Sequence, residues 1–218
     1  MMLLELRHEL RMTALEMMKS GLVVGADGNV SARDPQTGHV VITPSGMPYD
    51  QIEDDDVVVI DLDQNVLFGR NKPSSEAPMH TYLLKHRPDI HAVMHTHAHY
   101  ATLFAVANKD IPPATMNLAA QFAGPVRCAP YARPGSDEMG PTNIKYLGEK
   151  GRAVLIGNHG SLCVATTLQK VLQLSQILEE NARIVYEASM IGQPVSLPKP
   201  EITWINDLVM SWENAKVG

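Results

Sequence analysis

The chain has 218 residues and a net charge of −6, from 18 Lys and Arg against 24 Asp and Glu. With 44% hydrophobic and 19% charged residues, and with Gly and Pro spread along the chain, the composition excludes disordered, collagen-like and low-complexity proteins. The acidic balance, without any run of Lys and Arg, argues against a nucleic-acid partner. The length predicts a single domain over residues 1–218.

The first helix and the cysteines indicate the compartment. Charged residues interrupt the apolar ones up to Ser20, which is typical of neither a signal peptide nor a membrane span. Cys128 and Cys163 are too few for a disulfide scaffold and lack Cys-x-x-Cys spacing. We therefore predict a cytoplasmic protein with reduced thiols and no membrane partner.

Hydrophobic periodicity predicts helices that alternate with groups of short strands. The predicted helices are at 3–20, 73–86, 98–107 and 168–191. The predicted strands are at 29–31, 39–43, 57–61, 66–68, 90–95, 126–130, 152–157 and 160–165. This order favours an α/β or α+β domain in which helices cover a mostly antiparallel central sheet.

Histidines are concentrated after one buried strand. His95 and His97 follow the apolar run 90–94, and residues two apart on a strand project from the same face. A metal needs more ligands, and His159 lies at a break between two apolar runs, where a turn can direct it into a cleft. A solvated surface pair is the alternative interpretation, and His91 and His99 are left as rim residues or ligands. The other histidines are expected to be ordinary surface or helix residues: His8, His39, His80 and His86.

Glu76 follows two serines at the start of a predicted helix. A serine cap and a first-turn glutamate stabilise a helix without any function. The same groups could form an anion site, with Glu76 as an acid or base. Two other turns, at 25–31 and 43–46, offer small side chains and backbone N–H groups, but neither is a nucleotide-binding loop. Spacing alone leaves open whether these segments meet.

Six short motifs resemble, in the same order, those of the class II aldolase/adducin family. They are Gly-Asn-Val-Ser at 28–31, Thr-Pro-Ser-Gly at 43–46, Ser-Ser-Glu at 74–76, His-Thr-His at 95–97, Ala-Pro-Tyr-Ala at 129–132 and Asn-His-Gly at 158–160. The resemblance extends from about Leu10 to Gly192. It implies a three-layer α/β sandwich around a mostly antiparallel sheet, assembled as a homotetramer.

The resemblance also implies roles for individual residues. His95, His97 and His159 would bind zinc, with Mn²⁺, Co²⁺ or Fe²⁺ as alternatives. Glu76 would approach the metal in the absence of substrate and act as the base when substrate is bound, and it would work best in that role if desolvation placed its pKa nearer neutrality. The implied residues of the substrate phosphate site are Asn29, Ser45, Gly46, Ser74 and Ser75.

The implied activity is that of a metal-dependent aldolase acting on a sugar phosphate. It would reversibly cleave a ketose 1-phosphate, such as L-fuculose 1-phosphate or a 5-deoxyketose 1-phosphate, into dihydroxyacetone phosphate and an aldehyde through a metal-stabilised enediolate. Three alternatives use the same scaffold: a methylthioribulose-1-phosphate dehydratase, a sugar-acid phosphate decarboxylase and a ribulose-phosphate 4-epimerase. A non-catalytic adducin-like module is disfavoured because the metal histidines are all present.

Three positions depart from the aldolase pattern. Met116 or Asn117 stands where the aldolase has a Tyr near the aldehyde, and the C-terminal Tyr is replaced by a tail with Trp204 and Trp212. Asp27 stands where a small or hydroxyl residue would suit a phosphate better. The sequence therefore leaves the proton donor and the aldehyde unassigned.

Overall fold

The computed structural model describes residues 2–215, which form seven α-helices and eight β-strands. The helices are α1 (Leu4–Lys19), α2 (Ala77–His86), α3 (His99–Val106), α4 (Met116–Phe122), α5 (Met139–Leu147), α6 (Leu168–Ser189) and α7 (Lys199–Ala215). The strands are β1 (Asn29–Arg33), β2 (Val40–Ile42), β3 (Val58–Ile60), β4 (Val66–Phe68), β5 (Ala92–Thr96), β6 (Cys128–Ala129), β7 (Ala153–Ile156) and β8 (Gly160–Ala165). The single domain predicted over 1–218 includes residues 1 and 216–218, which lie outside the described residues.

All eight strands belong to one sheet in the order β4-β3-β2-β1-β5-β8-β7-β6. Neighbouring strands are antiparallel except for the parallel pair β6 and β7. The two central pairings fix the register at the end of β5, where His95 lies opposite Asn29 of β1 and Leu162 of β8. The mostly antiparallel sheet predicted from the sequence is confirmed.

Helices cover both faces of this sheet and complete a three-layer sandwich. Along β5 the side chains alternate, since Ala92 and Met94 pack in the apolar cluster with α1, α3, α4 and α6. Val93 points to the opposite face and packs in the cluster with α2 and α5. This period of two is the reason that buried strands serve two cores at once.

Polar side chains interrupt the face of the sheet that α2 covers. Asn29 and Ser31 of β1 are buried and alternate with Val30 and Ala32, which face the other cluster. His95 of β5 shares the face of Val93 and is fully buried. Buried polar groups require partners, so this part of the α2 layer is polar rather than apolar.

Three helices are not among the sequence predictions: α4, α5 and α7. In α4 the Oγ1 of Thr115 accepts a hydrogen bond from the Leu118 N–H, and the seven-residue helix is too short for a full apolar stripe. Gly140 in α5 packs closely on α2, because a Cβ there would lie 2.6 Å from the Tyr82 Cβ. Gly140 and Pro141 in α5 form a sequence pattern that is typical of a turn, so the helix is not apparent from the sequence. The same holds for Pro198 and Pro200 at the start of α7. Among residues 2–215, none of the helices has the length and apolarity that a membrane crossing requires.

Candidate metal centre and anion pocket

Three histidines from separate segments meet at one end of β5. One ligand nitrogen from each of His95, His97 and His159 lies within 4.8 Å of the other two. His95 is in β5, His97 follows its last residue, and His159 lies in the turn between β7 and β8. Asn158 has a φ of 57°, which gives that turn the left-handed residue it needs to direct His159 toward β5. The cluster does not include His91 or His99, which the sequence alone left open as rim residues or ligands.

The environment of His95 fixes which nitrogen can bind a metal. Its Nδ1 lies 2.9 Å from the carbonyl oxygen of Ser161, and a carbonyl can only accept, so Nδ1 holds the proton. Nε2 therefore presents a lone pair, 2.9 Å from Nε2 of His97 and 3.3 Å from Oε2 of Glu76. Burial lowers the pKa of His95 to about 4 despite the nearby Glu76. A neutral ring with its outer nitrogen hydrogen-bonded is typical of metal-binding histidines.

Glu76 lies at the start of α2 and faces the histidines. Its Oε1 is 3.7 Å from Nε2 of His159 and, among the described residues, is buried without a hydrogen-bond partner. Burial raises the pKa of the Glu76 carboxyl, but His95, a hydrogen bond from Asn29 and His159 together lower it further, so the net pKa is below its usual range. Desolvation therefore does not place this pKa nearer neutrality, and Glu76 is a carboxylate at pH 7.

The residues present fit a divalent metal ion. Three imidazoles and one carboxylate are a donor set that zinc commonly takes, and the buried Oε1 of Glu76 lacks the partner that a cation would supply. The same donor set also suits manganese, cobalt or iron, so the chemistry of the ligands does not select the ion.

A second buried histidine lies beneath Glu76 and was not predicted as a site residue. His80 is on α2, as expected, but it is fully buried and bonds the polar residues of β1. Its ring atom Nδ1 lies 2.6 Å from Ser31 Oγ, and its ring atom Nε2 lies 2.5 Å from Asn29 Oδ1. Burial lowers the pKa of His80 to about 3. The signal in the sequence is the position of His80 one helical turn after Glu76, combined with two alternate polar residues on an apolar strand.

A candidate anion pocket of about 170 Å³ opens beside the three histidines. Its lining includes Glu76, His97 and His159. The predicted phosphate-site residues all line it as well: Asn29, Ser45, Gly46, Ser74 and Ser75. Spacing could not show that these segments meet, and the structure brings them together.

Hydrogen bonds join the two serine segments around this pocket. The Ser74 N–H donates to the Thr43 carbonyl at 3.0 Å, and the Ser45 N–H donates to the Lys72 carbonyl at 2.9 Å. Ser74 Oγ accepts from the Glu76 N–H at 3.3 Å, while α2 itself begins only at Ala77. The predicted helix start at 73 is therefore four residues early, because residues 73–76 form part of the pocket wall.

Two residues of the pocket differ in what they offer an anion. Asn29 is buried, and its Nδ2 donates to Oε2 of Glu76 at 2.8 Å while its Oδ1 bonds His80. Asp27 is exposed at the mouth and brings a negative charge to the lining. The lining residues described include no lysine or arginine, so neutral donors surround most of the cavity.

Comparison with known proteins identifies the family. Residues 8–186 match the class II aldolase and adducin N-terminal domain. A 5-deoxy-D-ribulose 1-phosphate aldolase of Bacillus thuringiensis serovar kurstaki is 36% identical over 203 residues, 93% of this chain and 94% of the relative. The L-fuculose phosphate aldolase of Escherichia coli K12 is 34% identical over 189 residues, 87% of this chain and 86% of the relative.

The fold agrees with that relationship. The solved structure of an L-fuculose 1-phosphate aldolase is 33% identical, with a TM-score of 0.89 over 93% of this chain and 95% of that one. Sequence and fold thus lead to the same group of metal-dependent lyases, and the chain belongs to the class II aldolase/adducin family as an aldolase-like enzyme.

Proposed function

We propose that this enzyme is a zinc-dependent aldolase that reversibly cleaves a ketose 1-phosphate into dihydroxyacetone phosphate and an aldehyde. The observation that supports this most is the position of the three histidines and Glu76 on the wall of a pocket lined by serines and glycines. A cation site next to an anion site is what a phosphorylated hydroxyketone requires.

The metal would be held by the Nε2 atom of His95 and by ligand nitrogens of His97 and His159, with Glu76 as the fourth ligand when no substrate is bound. A divalent cation supplies a Lewis acid that draws electron density from the oxygens of the substrate. The Ser161 carbonyl keeps His95 in the tautomer that this role needs.

Glu76 is the proposed base for the carbon-bound proton of dihydroxyacetone phosphate. Asn29 donates to its Oε2, which leaves Oε1 as the oxygen that can take the proton. The lowered pKa keeps Glu76 ionised before the proton is transferred, and its buried position excludes water from competing for that proton.

The substrate phosphate would bind in the anion pocket through the hydroxyls and backbone N–H groups of its lining. Ser45, Gly46 and Ser75 are exposed at the mouth, while Ser74 is buried behind them. Binding the phosphate away from the reacting bond would orient the substrate and contribute remote binding energy. Asp27 opposes a second negative charge, so we expect this pocket to hold phosphate less tightly than a pocket without that carboxylate.

The proposed substrates are L-fuculose 1-phosphate and 5-deoxyribulose 1-phosphate, which correspond to the names of the two relatives. We further propose that the enzyme works in the cytoplasm, as its two free cysteines favour, and that it forms a homotetramer. Large apolar side chains exposed on α6, at its C-cap and on α7 support self-association: Ile184, Tyr186, Met190, Trp204 and Trp212.

The test of the function is product analysis with zinc-loaded protein. L-fuculose 1-phosphate, 5-deoxyribulose 1-phosphate and methylthioribulose 1-phosphate are supplied separately, and dihydroxyacetone phosphate is measured. The proposal predicts its release from at least one of them. Loss of water without carbon–carbon cleavage would instead identify a dehydratase, and epimerisation or loss of CO₂ from sugar-acid phosphates would identify the other two alternatives.

The base is tested by Glu76→Gln. Because an amide cannot accept the proton, this variant should exchange the carbon-bound hydrogen of dihydroxyacetone phosphate with deuterated water about 10²–10⁴-fold more slowly. The three histidines remain, so one zinc per chain should still be bound. Glu149→Gln, at an exposed position, is the matched control. Exchange in Glu76→Gln at the control rate would remove Glu76 from this role.

A further inference from the structure

A chain of hydrogen bonds runs from the sheet to the proposed base through buried side chains. Ser31 Oγ lies 2.6 Å from Nδ1 of His80, whose Nε2 lies 2.5 Å from Oδ1 of Asn29. Asn29 Nδ2 then donates to Oε2 of Glu76 at 2.8 Å. Ser31 and His80 are fully buried, and Asn29 and Glu76 are nearly so. Of these four hydrogen-bonded residues, only Glu76 belongs to the proposed metal site.

The donors along this chain are determined by what each atom can do. The Glu76 carboxylate and the Oδ1 of Asn29 are acceptors, so the proton between Asn29 and His80 must be on Nε2. In a neutral ring Nδ1 is then an acceptor, and Ser31 donates its hydroxyl hydrogen to it. All three hydrogen bonds therefore have the same direction: Ser31 donates to His80, His80 donates to Asn29, and Asn29 donates to Glu76.

Asn29 alone cannot select this arrangement. The oxygen and nitrogen of its side-chain amide have nearly the same shape, so the amide fits its site in two orientations. One orientation donates Nδ2–H to Glu76, and the other places Oδ1 against the carboxylate, where two acceptors repel. The Nε2–H of His80 pairs only with Oδ1 and thus stabilises the first orientation.

We propose that His80 is a positioning residue that sets the orientation of the Asn29 amide and, through it, holds the Glu76 carboxylate toward the metal histidines. The inference rests on the proposed aldolase function for its effect on rate, but the chain of donors is a property of the fold. Met79, Leu83 and Leu84 of the same helix pack in the apolar cluster, whereas His80 faces the polar side chains of β1, so its role lies in those hydrogen bonds rather than in apolar packing.

The tautomer is measured directly by ¹⁵N NMR of imidazole-labelled, metal-free protein. The proposal predicts that His80 is neutral with its proton on Nε2 and that this N–H exchanges slowly with water because it is buried and bonded. A His80 ring protonated on Nδ1 alone would overturn the proposal, since that ring could not donate to Asn29. The result does not depend on any substrate.

Three variants separate positioning from packing. Gln can place an amide N–H near the position of Nε2, whereas the shorter Asn cannot, so His80→Gln should restore what His80→Asn loses. Thr81→Val is the matched control, because Thr81 is buried on the same helix and its hydroxyl bonds only carbonyls of α2. All three are expected to lose some stability.

The expected result is specific to His80→Asn. Its hydrogen exchange on dihydroxyacetone phosphate should fall about 10–100-fold in kcat with a small change in KM, and its zinc affinity should fall as well. His80→Gln should recover most of both, and Thr81→Val should retain both. If His80→Asn behaves like Thr81→Val, the proposal is wrong. If the wild type shows no exchange, the aldolase function fails, and zinc affinity in the same three variants still decides the role of His80.

Discussion

Two neutral histidines and one carboxylate share a small buried volume at the centre of the site. Burial lowers the pKa of His80 to about 3 and of His95 to about 4, while the net pKa of Glu76 also lies below its usual range. The cluster therefore contains one negative charge and imidazole nitrogens that are free of competing protons at neutral pH. This is the state that a divalent cation needs in its ligands.

The buried neutral histidines predict a loss of stability in acid. An unfolded histidine gains a proton below a pKa of about 6.5, but His80 stays neutral in the fold until about pH 3, so the unfolded state binds more protons and is favoured as the pH falls. The contribution is about 1.4 kcal/mol per pH unit for one histidine. Urea unfolding of metal-free His80→Gln between pH 7 and 4 should show a shallower slope than the wild type, by about one proton.

The control for this prediction is Thr81→Val, because Thr81 is buried on the same helix and does not titrate. It should keep the slope of the wild type. An equal slope in His80→Gln and the wild type would show that His80 does not remain neutral on folding.

Some residues of the candidate site can be predicted from the sequence more readily than others. His95 and His97 are apparent from two-residue spacing after a buried strand, and the role of His159 needed the family resemblance to a His-Gly turn. The role of His80 was not predicted, because nothing in the sequence distinguishes a buried, hydrogen-bonded histidine in a helix from a surface one until its partners on β1 are known. The direction of the Glu76 pKa shift could not be predicted, because a sequence pattern can indicate burial but not the neighbours that oppose its effect.

The pairing of β5 with β8 brings the three clustered histidines together. Gly160 begins β8, and a Cβ there would contact the Thr96 carbonyl and lie 3.1 Å from Cδ2 of His97 and 3.2 Å from Cε1 of His95. The missing side chain lets the two strands approach closely enough for the imidazoles to share one site.

Gly160→Ala tests that close approach. The added methyl group should separate β5 from β8 at the histidines, with a cost of about 1–3 kcal/mol in unfolding free energy. Zinc affinity should fall about 10-fold or more, as measured by competition with a chromophoric chelator. Gly124→Ala is the control, because a Cβ there meets nothing within 4 Å. Equal zinc affinity in the two variants would contradict this role of the glycine.

Element predictions succeeded where periodicity is strong and failed where another contact determines the structure. The strands and the long helix α6 have regular apolar spacing, and their bounds agree with the sequence to within a few residues. Helix α5 contains Gly140 because Tyr82 occupies the space beside it. Helix α2 begins late because Ser74 bonds Thr43 in the pocket wall, a contact between segments that no local pattern contains.

In the molecule as a whole, the candidate site lies where the α2 layer meets the end of the central strands. The class II aldolase fold places β1, β5 and β8 side by side, so segments separated by more than a hundred residues supply one cluster. The fold class could be predicted from the sequence because alternation and motif order are both visible there. The spatial convergence of the motifs could not be predicted from the sequence, because it depends on the order of the strands in the sheet.

Metal binding should stabilise the whole molecule, because the ligands converge only in the folded state. Zinc at a free concentration of 100 Kd should add about 2.7 kcal/mol to the unfolding free energy. For a chain of this length, that corresponds to a rise in Tm of about 5–11 °C relative to chelator-treated protein. His97→Ala should abolish most of the rise in differential scanning calorimetry, and an equal rise in this variant would place the metal elsewhere.

The most direct measurement is the anomalous scattering of crystals of the zinc-loaded protein, recorded on both sides of the zinc absorption edge. We expect one strong peak per chain, at a bonding distance of about 2.0–2.1 Å from nitrogens of His95, His97 and His159. A peak bound to other residues, or none in protein that has been exposed to stoichiometric zinc, would contradict this expectation.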